Sequence, residues 1–135
     1  MFKKIMVAID GSEISLEALK EAENIATSCH GTLCIVYAIA DSDDADQQAG
    51  LELLEHAKSA VKNGLNVETR LLQAQAEYDL TGITEAITDA ANEWRADLLV
   101  VGTANRRGLE RLVIGSVAEQ LVAKVDASML LVRPR

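Results

Sequence analysis

The chain has 135 residues, 49% of them hydrophobic, and a formal net charge of -8. This length and apolar content suit a single domain over 1–135, and the lone proline, Pro134, leaves no Pro-rich linker to divide it. The negative charge argues against a nucleic-acid-binding surface, two cysteines are too few for a disulfide scaffold, and no apolar stretch approaches the roughly 18 residues of a membrane span.

The run Ile5-Met6-Val7-Ala8-Ile9 predicts a first strand covered on both faces, and it is too short for a secretory signal. Asp10-Gly11-Ser12 is a turn. Ser12 is placed to cap the next helix, with Glu13 and Glu17 favouring its amino-terminal end. Ala18, Leu19, Ala22, Ile25 and Ala26 recur at helical spacing, and Gly31 fits the helix stop. A second strand is expected over 32–39 and an acidic loop over 41–46. A helix follows over about 45–63, with Leu53, Leu54, Ala57, Ala60 and Val61 apolar and Asn63-Gly64 ending it. The third strand is expected over 66–73 and a loop over 74–78.

A third helix over about 80–95 carries Ile83, Ile87, Ala90, Ala91 and Trp94 on one face, which places Trp94 in the core. The fourth strand spans 97–101. Val117, Ala118, Leu121, Val122 and Val125 mark a fourth helix, and 128–132 is the fifth strand. Cys29 and Cys34 read as packed free thiols. His30 and the distant His56 offer no metal-ligand spacing.

Strict alternation of apolar strands and amphipathic helices gives an α/β fold: a five-stranded parallel sheet, order 3-2-1-4-5, with helices on both faces. In that order the first and fourth strands are neighbours, and a ligand crevice opens between their carboxyl ends, at Asp10 and Gly102. The fifth strand, Met129-Leu130-Leu131-Val132 after Ser128, is an apolar edge without charge. An edge of that kind favours a homodimer through Ser128–Val132.

The loop after the fourth strand holds the chain's positive surplus. Residues 1–102 carry seven basic and eighteen acidic side chains, whereas 103–135 carry six basic and three acidic. No G-x-x-x-x-G-K-[ST] is present, and no G-x-G-x-x-G follows the first strand. Instead, Gly102-Thr103-Ala104-Asn105 is followed by nine residues and then Gly115-Ser116. With "VAIDGSE", "ADLLVVGT" and "GSVAEQLV", this pattern covers essentially the whole chain and resembles the universal stress protein family.

The resemblance implies a Rossmann-like, cytoplasmic, dimeric stress-response protein that binds ATP, ADP or AMP, with or without Mg²⁺. It assigns Asp10 to the base or ribose and the backbone of Ala38 to the adenine, with Ala8 beside them on the first strand. It places Val101 and Gly102 at the loop start, and Gly115, Ser116 and Val117 at the phosphates. Asn105 stands where the family's nucleotide-binding motif has glycine. Asn is among the non-glycine residues that best tolerate positive φ.

Physical chemistry is consistent with that assignment. Gly115 permits close backbone approach to an anion, and Ser116 opens a helix whose free N–H groups attract phosphate. Arg106, Arg107 and Arg111 add positive charge. Ser116-Val117-Ala118-Glu119 is equally a capping box, so a purely structural role for Ser116 stays open. So does a second function, a nucleotide-free dimeric module that meets protein partners. No enzyme is expected, or at most a weak ATPase: no histidine lies near the crevice, and no second carboxylate pairs with Asp10 to activate water.

Overall fold

The computed structural model describes residues 1–40, 43–62, 64–75, 79–103 and 116–134. Nine elements alternate in chain order: β1 (Lys4–Ala8), α1 (Glu13–Cys29), β2 (Thr32–Ile39), α2 (Asp44–Ala60), β3 (Asn66–Gln73), α3 (Asp79–Trp94), β4 (Leu98–Gly102), α4 (Ser116–Lys124) and β5 (Ser128–Val132). All strand pairs are parallel and the order is β3-β2-β1-β4-β5, as the alternating pattern predicts.

The sheet has a core on each face because successive strand side chains point to opposite sides. Ile5, Val7 and Ile9, with Leu33, Ile35, Leu98 and Val100, pack against Ala18, Leu19, Ala22 and Ala26 of α1 and Leu54 and Ala57 of α2. Met6, Cys34, Val36, Leu99 and Val101 pack against Ile87, Ala90, Ala91 and Trp94 of α3 and Ala118 and Leu121 of α4. Small helical residues recur on both faces, which lets the helices lie close to the sheet. Burial pushes the Cys34 thiol up to about 12, with Glu68 adding to the shift, so it is an inert core group.

Some element ends differ from the sequence reading by one to three residues, several of them for a local reason. α1 does not stop on Gly31. His30 takes the left-handed conformation at φ 55, and the Gly31 N–H donates to Ala26 O at 2.9 Å. Gly31 is required by crowding instead, since a Cβ there would stand 2.9 Å from Lys3 O. The end of α3 repeats the device, with Arg95 at φ 60 and Ala96 N–H donating to Ala91 O. The expected acidic loop is cut short because Asp43 caps α2, its side chain accepting from the Asp46 N–H at 2.8 Å. α2 ends at Ala60, with Val61 in an extended conformation; Asn63 lies outside the described residues. Ala60 and Val122, counted on apolar helix faces, are exposed, Val122 by 57%.

At the amino ends of the strands, Asp97 ties β1 to β4. One carboxylate oxygen accepts from the N–H groups of Lys3 and Lys4 at 2.9 and 2.8 Å. Those bonds, Lys4's first, hold its carboxyl below the ordinary Asp value. Lys4 also donates through Nζ to Trp94 O at 2.8 Å and lies 4.9 Å from the centre of the Trp94 ring. Trp94 is buried, as its place on the helical stripe predicts.

Candidate functional site

The carboxyl ends of β1, β2 and β4 meet where the strand order reverses. Four of the sequence-predicted residues come together on one face there. Ala8 of β1, Ala38 of β2 and Val117 of α4 are partly buried against the core that contains Val101 of β4. On that face, side chains shrink toward the crevice: Met6 is followed by Ala8, and Val36 by Ala38. Met6 and Val36 are fully buried, while both alanines keep some exposure. The side chains at these strand ends are therefore small and only partly buried. A larger side chain at either alanine would take up more space there.

Asp10 lies two residues beyond β1 and is exposed. Its Oδ1 accepts from the Ser12 N–H at 2.9 Å and the Ser12 hydroxyl at 2.5 Å. Gly11 makes the turn possible at φ 86. Ser12 is the predicted cap of α1, its side chain accepting from the Ser15 N–H.

Gly102 behaves differently from its neighbours. A Cβ on it would stand 2.9 Å from Ile14 Cγ1 and 3.1 Å from Ile14 O. The glycine is therefore explained by the close approach of α1, on the opposite face from Ala8, Ala38 and Val101. Thr103 was not singled out from the sequence. It is buried, and its N–H donates to Val132 O at 2.9 Å, which fastens the start of the loop to the end of β5. Its neighbours are distant in sequence, so no local signal marks it.

Ser116 enters as the first residue of α4, directly after the loop. Asn105 and Gly115, together with Arg106, Arg107 and Arg111, lie outside the described residues. Among the described residues no cluster of His, Cys, Asp or Glu is placed to hold a metal ion. No described helix is long and apolar enough to cross a membrane.

A separate cleft of about 450 Å³ lies beyond β3 and beside α3, lined by Gln73, Gln75, Thr81, Glu85 and Asp89 among others. None of the predicted site residues lines it. Its carboxylates make it a poor seat for phosphate, and Glu85 is already paired with Lys124 at 2.7 Å.

Residues 1–133 match the model of the universal stress protein family. The chain belongs to this family. The chain is 29% identical to a universal stress protein of Methanocaldococcus jannaschii, over 98% of this chain and 83% of that protein. A universal stress protein structure from Archaeoglobus fulgidus superposes with TM-score 0.80 at 24% identity, covering 98% of this chain and 99% of the other. The crystal structure of a universal stress protein in complex with cAMP superposes with TM-score 0.75 at 26% identity, covering 97% of each chain. The family's α/β fold and the parallel order seen here therefore coincide, and the crevice at Asp10 is the part of that fold to which the motif "VAIDGSE" leads.

Proposed function

We propose that this universal stress protein binds an adenine nucleotide at the carboxyl ends of β1, β2 and β4. The observation that carries the reading is the pair of small residues Ala8 and Ala38 on one face of two adjacent strands, with the exposed Asp10 two residues beyond the end of β1. Two small residues make room for a purine, and a carboxylate accepts from its amino group or from ribose hydroxyls. A relative in complex with cAMP supports the same ligand class. The family resemblance assigns the phosphates to Gly115, Ser116 and Val117, of which Ser116 and Val117 open α4, where free helix N–H groups attract an anion. Mg²⁺, where it accompanies ATP, would have to be carried by the phosphates, since no cluster of His, Cys, Asp or Glu among the described residues could hold it.

The protein acts as a cytoplasmic, dimeric sensor rather than an enzyme. Support for the dimer comes from the contrast between the two sheet edges. β3 carries Glu68 and Arg70, an ion pair at 3.4 Å, whereas β5 offers only Ser128 and four apolar residues.

Isothermal titration with ATP, ADP, AMP and cAMP tests the reading. Micromolar to high-micromolar binding of at least one is expected, lost in Ala38→Trp. No heat with any of the four overturns it. A specific observation also favours a nucleotide-free interaction module: Gly102 is accounted for by packing alone. Under that second reading, Asn105→Gly creates binding that the parent lacks; under the first, the parent already binds.

A further inference from the structure

Ser12 joins two hydrogen-bond systems that the sequence presents only as a helix cap. Its hydroxyl accepts from the Ser15 N–H at 3.2 Å and donates to Asp10 Oδ1 at 2.5 Å. Its own N–H donates to the same oxygen at 2.9 Å. A hydroxyl has one proton, and the amide at Ser15 can only donate, so the hydroxyl proton is directed at Asp10. Oδ1 then has two donors, while Oδ2 has no partner among the described residues. Ser12 is itself fixed from the other side, because its carbonyl accepts from the Ser15 hydroxyl at 2.9 Å and the Leu16 N–H at 3.2 Å. Ser15 is buried, so this anchor belongs to the packed first turn of α1 rather than to a free loop.

We infer that Ser12 is a positioning residue of the nucleotide site: it orients Asp10 so that one oxygen, Oδ2, is presented to a ligand group that donates a hydrogen bond. The inference rests on the nucleotide reading. It deepens that reading by assigning the site a requirement for a hydroxyl or amino donor at this point, since a fixed, singly available carboxylate oxygen repels an acceptor. It also separates Ser12's service to the ligand from its service to the helix, because the cap uses the hydroxyl oxygen and the ligand effect uses its proton.

The test uses the full chain. AMP affinity is measured calorimetrically for the parent and for Ser12→Ala, Ser12→Gly, Ser12→Thr, Asp10→Ala and the Ser12→Ala/Asp10→Ala pair. The Asp10 χ1 rotamer is followed in the ligand-free proteins by NMR three-bond couplings. Loss of one charge-assisted orienting bond is expected to weaken AMP binding about tenfold in Ser12→Ala and in Ser12→Gly, which retains a tolerated cap residue. Ser12→Thr restores binding, and the double variant binds no more weakly than Asp10→Ala alone. Asp10 holds one rotamer in the parent and averages in Ser12→Ala. Additive losses in the cycle, or an Asp10 rotamer that stays fixed without the hydroxyl, overturn the inference. If the parent does not bind AMP, the nucleotide reading is the one that fails for this ligand, and the rotamer comparison still decides whether Ser12 holds Asp10.

Discussion

Gly102 shows how one residue can satisfy a motif and a packing constraint at once. It opens the spacing that resembles a phosphate loop, yet its missing Cβ is demanded by Ile14, 2.9 Å from where that atom would be. Gly102→Ala is therefore expected to destabilise the fold by about 1–3 kcal/mol in urea denaturation, as overpacking does. In combination with Ile14→Ala the two penalties should fall short of their sum, because removing the Ile14 side chain relieves much of the clash. Additive penalties would assign the cost of Gly102→Ala to something other than Ile14. The site residues divide along the same line. That Ala8, Ala38 and Asp10 stand at or just past strand ends was legible because strand runs can be read locally; their assignment to a ligand comes from the family resemblance. Thr103 was not, because its role is a bond to Val132, which belongs to another strand. His30 and Arg95 were missed as caps because glycine is the expected occupant of the left-handed region, and Gly31 stood adjacent.

Among the elements, β1 is short and lies at the centre of the sheet, between β2 and β4. Its strand bonds are supplemented at the amino end by Asp97, which receives two N–H groups from residues more than ninety positions away. Such a bond has no signature in a sequence, which is why β4 was expected to begin at 97 rather than at Leu98. Asp97 instead terminates the turn, its own N–H donating to Lys4 O at 2.7 Å. Because its carboxyl titrates below the ordinary Asp value, its contribution is present above the unfolded pKa of about 3.9 and is lost as pH falls through the lower folded value. The stability difference between the parent and Asp97→Asn is thus expected to be constant from pH 5 to 7, to shrink below about pH 4, and to vanish at the acid end. Denaturation midpoints measured across that range check it. A difference that stays flat through pH 3 would mean that the carboxylate charge is not what Lys3 and Lys4 recognise. The remaining elements were readable to within about three residues, since most strands are apolar runs closed by a turn and each helix has a periodic face.

For the molecule as a whole, the sheet order was legible because alternation and right-handed crossovers leave few arrangements. What the order does not specify is which backbone groups the β5 edge offers, and this can be derived from the bonds of β5. The Ser128 N–H donates to Asp97 O and Val132 O accepts from the Thr103 N–H, so both residues turn their backbone toward β4. In a parallel strand the N–H and C=O of one residue point the same way and alternate along the chain. Met129 and Leu131 therefore present their backbone groups to the open edge, and a second copy pairing there would use them. Proline is tolerated where an edge N–H faces outward, and it removes that donor without touching the bonds to β4. Leu131→Pro is expected to convert a dimer to a monomer in light scattering while far-ultraviolet circular dichroism keeps the α/β signature. Leu130→Pro, which removes an N–H directed at β4, should instead damage the fold itself. If Leu131→Pro remains dimeric and folded, the copies associate through some other face, and the uncharged β5 edge is shielded in another way.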